Sequence, residues 1–124
     1  MANQSVMKNH TVFSYVDVAP DRFFDGNKMT LRSLAGMRQD GTIVFILSGN
    51  GGMMNVAEIA ALAQKLNVQH ATLLDGGRAL QYSLRLGKVS HDFTAFNTIL
   101  DLDWKGFEWE RSPVFIVARP ASTP

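Results

Sequence analysis

The 124-residue chain contains no cysteine. That excludes disulfides, thiolate nucleophiles and cysteine-ligated metals. Its three histidines, His10, His70 and His91, are scattered without metal-ligand spacing, so no metal site and no cofactor motif is read. No apolar run approaches the ~18 residues of a membrane-spanning helix. The first ten residues lack the apolar core of an export signal, so no membrane partner is expected and the cytoplasm is the default compartment. Charge of one sign is also scarce. Twelve Lys and Arg against eleven Asp and Glu leave a net charge of +1, which gives no electrostatic case for a nucleic-acid polymer.

What is present is a folding composition. Hydrophobic residues make up 46% and charged residues 19%, proportions that suit a packed domain and argue against disorder. The length fits one core and not two. The expected organisation is a flexible start over residues 1–10, one domain over residues 11–119, and a tail over residues 120–124.

Along the chain, residues 11–18 carry Val12, Phe13, Tyr15, Val16 and Val18, a strand composition. Ala19-Pro20-Asp21 breaks it. A second strand is expected over residues 31–37, and Asp40-Gly41 turns it into residues 42–47 as a hairpin. That run is apolar throughout, the pattern of a central strand covered on both faces. After the glycine-bearing loop of residues 48–52, Asn55 and Glu58 have the spacing of a capping box. Val56, Ile59, Ala60, Ala63 and Leu66 then fall on one helical face, and Asn67 suits a left-handed helix end. Residues 71–74 read as a buried strand and residues 79–84 as another. Residues 92–100 fit strand or short helix, residues 101–111 hold Trp104, Phe107 and Trp109, and residues 112–118 read as a last strand beginning near Pro113. The fold class is α+β, a mixed, mostly antiparallel sheet with one main packed helix.

Chemistry centres on Leu74-Asp75-Gly76-Gly77-Arg78. A carboxylate at a strand end followed by two glycines lets a ligand approach backbone N–H groups. The same residues also fit a plain hairpin turn. Asp75 is the candidate for acid–base work, but glycoside hydrolysis usually uses two carboxylates. Glu58 is accounted for by its capping box, and Asp17, Asp21 and Asp25 are not separated by spacing. Arg32, between apolar and small neighbours, is either a phosphate-binding fork or a solvated strand arginine. Gly49, Gly51 and Gly52 would suit an anion-binding loop before the helix, though the Gly-Lys-Ser/Thr ending of a P-loop is absent.

The order of these pieces resembles the phosphodiester glycosidase family. The resemblance is carried by Arg32-Ser33-Leu34-Ala35-Gly36, Asp40-Gly41, the apolar run Ile43 to Leu47, Gly51-Gly52, Val56-Ala57-Glu58-Ile59-Ala60, Leu66-Asn67-Val68, Leu73-Leu74-Asp75-Gly76-Gly77 and Pro113-Val114-Phe115-Ile116-Val117. It covers residues 31–119 and is similar to the C-terminal half of the family domain. Where the family continues with a third glycine and a serine, this chain has Arg78 and Ala79. The resemblance implies hydrolysis of a sugar-1-phosphodiester by Asp75, with Arg32, Gly51, Gly52, Gly76, Gly77 and Arg78 around the ligand. The implied partner is a phosphorylated sugar or nucleotide sugar. Two alternatives stay open: a non-catalytic binder of phosphorylated sugars or nucleotides, and a homo-oligomeric interaction module without a small ligand.

Overall fold

The computed structural model describes residues 4–20, 23, 26–94 and 116–120. The order is β1 (Ser5–Lys8), β2 (Thr11–Val12), α1 (Tyr15–Val18), β3 (Ser33–Arg38), β4 (Ile43–Leu47), α2 (Val56–Lys65), β5 (Val68–Leu73), β6 (Gln81–Leu86) and β7 (Val89–Thr94). A 3-10 turn over Gly77–Ala79 precedes β6. The first five strands form one sheet in the order β2-β1-β5-β3-β4, and β6 pairs with β7 in a separate ribbon. Every strand pair among the described residues is antiparallel. The α+β class with a mostly antiparallel sheet and one main helix is the architecture found.

Helix α2 forms for the reasons its sequence states. Asn55 Oδ1 accepts from the Glu58 N–H at 2.9 Å, and Glu58 Oε1 accepts from the Asn55 N–H at 3.1 Å. Two orphan donors of the first turn are thereby satisfied reciprocally. Asn67 closes the helix at φ 61. Arg38 reaches across from β3 to donate to the Leu66 carbonyl at 3.0 Å, placing a cation at the negative end of the helix dipole. The inward stripe is Val56, Ile59, Ala60 and Ala63, all fully buried against Val6, Leu34, Ile46, Val68 and Leu73 of the sheet. Burying Val56 and Ile59 contributes about 2 kcal/mol each. A smaller cluster of Leu31, Leu80 and Phe93, with Tyr82 against it, fastens the β6–β7 ribbon to the sheet.

Five local expectations are corrected. The chain start, expected to fray, carries β1. Val6 and Met7 are buried there, and the Leu73 N–H donates to the Gln4 carbonyl. Two apolar residues are too short a pattern to read, and pairing with β5 decides their state. The strand expected over residues 11–18 ends at Val12 and is followed by α1. The turn lets Val16 enter the core while Tyr15 donates its hydroxyl to the Ser5 carbonyl at 2.7 Å. The run 43–47, expected at the centre, is strand β4, at the edge of the sheet among the described residues, with Ile43, Phe45 and Leu47 exposed. Strand β5 and strand β6 do not pair, so Asp75-Gly76-Gly77 is no hairpin turn. Of the last expected strand, residues 116–118 are exposed and not in a strand. Residues 112–115, like Trp104, Phe107 and Trp109, lie outside the described residues.

Candidate functional site

Strand β3 is central, and β4 and β5 both run antiparallel to it. Both neighbours therefore finish at the end where β3 begins. Leu47 pairs with Ser33, and Leu73 pairs with Leu34. The two glycine-bearing segments, 48–52 and 74–77, consequently leave the same end of the sheet. At the ordinary ~4.8 Å strand spacing, the strands feeding them stand roughly 10 Å apart.

The segment 31–33 lies between them and is bonded to both. On the β4 side, the Ser48 N–H donates to the Arg32 carbonyl at 3.0 Å, and the Arg32 N–H donates to Ser48 Oγ at 2.9 Å. On the β5 side, the Leu74 N–H donates to the Ser33 carbonyl at 2.9 Å and the Gly77 N–H to the Leu31 carbonyl at 2.7 Å. Ser33 Oγ donates to the Asp75 carbonyl. The Asp75 backbone is thus pinned while its side chain sits at the exposed rim.

The glycines have local reasons. A Cβ on Gly76 would stand 2.5 Å from the Leu31 carbonyl oxygen and 3.3 Å from Arg32 Cα. Only a residue without a side chain permits that approach. Gly51 has φ +74 and open space around it. It occupies the left-handed position of a turn closed by the Gly52 N–H on the Gly49 carbonyl at 3.0 Å.

Arg32 is placed differently from a solvent-facing fork. It is 7% exposed. Its Nε donates to the Met54 carbonyl at 3.1 Å and its Nη2 to the Lys28 carbonyl at 2.9 Å. The guanidinium joins the loop before β3 to the segment entering α2, where Thr30 and Met54 also exchange backbone hydrogen bonds. Gly51, Gly52, Gly76, Gly77 and Asp75 are thus gathered at one sheet end, with the Arg32 backbone between the two loops. Arg78 follows within the 3-10 turn. Glu58 is engaged in its capping box, and Asp17 is exposed on α1. Asp21 and Asp25 lie outside the described residues. Among the described residues no group of three or more His, Asp or Glu could hold a metal ion.

One contributor was not singled out from the sequence. Tyr82 donates its hydroxyl to the Ser48 carbonyl at 3.2 Å, with Gly49 beside it. Its ring stacks on Phe93 at 5.1 Å. Burial pushes the phenol above its ordinary pKa. The available signal was the alternation Tyr82, Leu84, Leu86, which gives the ribbon one apolar face.

The sequence profile of the phosphodiester glycosidase family matches residues 4–112. The chain belongs to the phosphodiester glycosidase family. The match extends upstream of residue 31 and takes in β1, β2 and α1, where the family resemblance is not legible residue by residue. A phosphodiester glycosidase domain therefore includes the sheet end described above. A search of curated proteins gives no match. Among solved structures, the chain is similar to one described as a hypothetical protein from Synechocystis, with a TM-score of 0.54 and 23% identity. The similarity covers 76% of this chain and 18% of that one. This chain thus spans about a fifth of the length of that structure, and the likeness speaks to the fold. Among the described residues no helix is long and apolar enough to cross a membrane.

Proposed function

We propose that the chain acts on a sugar phosphodiester, breaking the bond between the anomeric carbon and a phosphate oxygen. One observation carries the reading: two glycine loops open at the same sheet end, with the Asp75 carboxylate exposed on the rim, in a member of the phosphodiester glycosidase family. The sugar–phosphate ester lies across the rim between the loops. Asp75 takes a proton from water as the oxygen of that water bonds to the anomeric carbon. The C–O bond breaks, and its electron pair leaves on the phosphate oxygen.

The leaving group decides how many carboxylates are needed. A phosphate monoester dianion has a conjugate acid of pKa about 6, far less basic than an alkoxide. It departs with little protonation, so the second carboxylate of ordinary glycoside hydrolysis is dispensable. The Gly51 and Gly76 N–H groups and the Arg78 guanidinium serve the phosphate, since the Gly52 and Gly77 N–H groups are held by the Gly49 and Leu31 carbonyls. Arg32 positions the two segments through Lys28 and Met54.

The test is release of free sugar from UDP-N-acetylglucosamine and from simple N-acetylglucosamine phosphodiesters. Asp75→Asn is expected to lower kcat by about 10²–10⁴, and Arg78→Ala to raise KM with less effect on kcat. Equal turnover by Asp75→Asn overturns the reading. A second reading, a holder of such esters without turnover, is favoured by the close approach at Gly76, which explains that glycine without any chemistry. It predicts a raised melting temperature with the same esters and no released sugar.

A further inference from the structure

Tyr82 stands where the two glycine loops and the β6–β7 ribbon meet. It follows Gly77 closely in the chain, yet its hydroxyl donates to the carbonyl of Ser48, at the root of the other loop, at 3.2 Å. Ser48 is 1% exposed. Its N–H donates to the Arg32 carbonyl, its Oγ accepts from the Arg32 N–H, and its carbonyl accepts from Tyr82. These contacts close a circuit. The Gly77 N–H holds the Leu31 carbonyl, Leu31 leads into Arg32, and Arg32 holds Ser48. Ser48 then holds the phenol, which the chain reaches again from Gly77 through Leu80. Both loops belong to this circuit, so it sets the gap between them.

The ring is anchored to carry that load. Tyr82 pairs with Phe93 across the ribbon, and the two rings stack at 5.1 Å with their planes 17° apart. Phe93 packs with the buried Leu31 and Leu80. Phenylalanine at position 82 would serve that packing equally well. The hydroxyl adds one hydrogen bond and directs it at the loop. The Ser48 carbonyl and the Gly49 N–H share one peptide plane. Fixing that plane fixes the start of the turn that the Gly52 N–H closes on the Gly49 carbonyl. Gly51 sits within this turn at φ +74 with open space around it. A run so rich in glycine has wide backbone freedom unless it is held.

We propose that Tyr82 is a positioning residue for the phosphate: by gripping the Ser48–Gly49 peptide it orders the loop whose Gly51 N–H meets the anion. A loop ordered beforehand has less freedom to lose when the ligand arrives. The inference rests on the sugar-phosphodiester reading of the site, and it assigns Tyr82 to the phosphate end of the ligand and leaves the bond-breaking step to Asp75.

Tyr82→Phe tests this, because it keeps the stack and removes only the hydroxyl. With a simple N-acetylglucosamine phosphodiester, KM should rise about five- to tenfold, the worth of one hydrogen bond, while kcat stays within about twofold. A second readout needs no turnover. When the full chain is titrated with inorganic phosphate, the Gly51 amide resonance should shift, and the dissociation constant should rise by the same factor in Tyr82→Phe. Ser83→Ala is the control. It removes a hydroxyl from the other face of β6, where Ser83 donates to Asp92, and should leave KM and phosphate affinity unchanged. A Tyr82→Phe chain that melts lower but keeps both values makes the hydroxyl a fold contact only, and the proposal falls. A lower kcat at constant KM overturns it by placing the phenol with Asp75. Equal losses in Ser83→Ala overturn it as well, as does a wild-type Gly51 amide that phosphate leaves unmoved. Failure of the activity reading looks different: the wild type releases no sugar, while the phosphate titration still decides the role of Tyr82.

Discussion

Gly76 lies where the exit of β5 crosses the entry to β3, and the two backbones approach closely enough that a methyl group would meet the Leu31 carbonyl at 2.5 Å. Neither neighbour is a flexible side-chain tip, so relief requires a backbone shift. Gly76→Ala is expected to destabilise the fold by about 1–3 kcal/mol, the usual range for overpacking, as measured by urea unfolding. Gly51 gives the contrasting case. Its surroundings are open but φ is +74, so Gly51→Ala costs about 1–2 kcal/mol from left-handed backbone alone and leaves the core melt otherwise cooperative. Arg32 is a different kind of residue-scale commitment. Its guanidinium donates to two backbone carbonyls while 7% exposed. Hydrogen bonds to charged groups contribute about 1.5–3 kcal/mol, so Arg32→Ala should lower stability by at least about 2 kcal/mol. Arg32→Lys should restore little, since an ammonium lacks the planar fork that serves both carbonyls. If Arg32→Lys melts like the wild type, the fork geometry is not what holds the loops.

The elements show how far local chemistry reaches. Asn55→Ala removes the side-chain half of the α2 capping box and should cost about 1 kcal/mol in thermal unfolding. Glu58→Ala added to it should cost less than it does alone, because the two groups serve one structure. The β6–β7 ribbon is held partly by charge. Arg85 bonds to Asp92 at 2.8 and 3.1 Å, and the Ser83 hydroxyl donates to the same carboxylate at 2.7 Å. Those hydrogen bonds, Arg85 first, hold Asp92 below its ordinary pKa. The folded ribbon therefore favours the ionised carboxylate. Its contribution is complete above the usual carboxylate value of ~3.9 and is lost as pH falls through the lowered value. A carboxyl NMR titration should place the Asp92 midpoint under that value, and Asp92→Asn should flatten the acid limb of stability against pH. Signals confined to a few neighbouring residues were legible in the sequence: the capping box, Asn67, and the Asp40-Gly41 turn, where Asp40 accepts from the Thr42 N–H at 2.9 Å. The position of β4 was not. An apolar run of five residues looks the same whether helices cover both of its faces or only one. Gathering Asp75 with Gly51 and Gly52 was equally invisible, because it follows from β3 pairing antiparallel to both neighbours, and spacing carries no such information.

At the scale of the whole molecule, the chain start and the site are mechanically linked through β5. The inner edge of β5 pairs with β3 and its outer edge with β1. Its last residue, Leu73, donates to the Gln4 carbonyl, and the next, Leu74, donates to Ser33. The segment that presents Asp75 is thus clamped from both sides. Val6 and Met7 are 0 and 2% exposed within the main core. At about 1.5–3 kcal/mol for each fully buried apolar side chain, the two contribute several kcal/mol, against a total of about 5–15 kcal/mol for an ordinary domain. Removing residues 1–10 would also bare the outer edge of β5. The truncated chain should lose its cooperative melt or melt far lower, and Val6→Ala should move partway toward it. Under the proposed activity, Val6→Ala at a temperature where it remains folded should keep its KM and lose kcat modestly, because the loosened clamp lets Asp75 wander from the attacking water. If the truncated chain melts like the full one, β1 is an ornament of the sheet, and the Asp75 turn takes its rigidity from β3 alone.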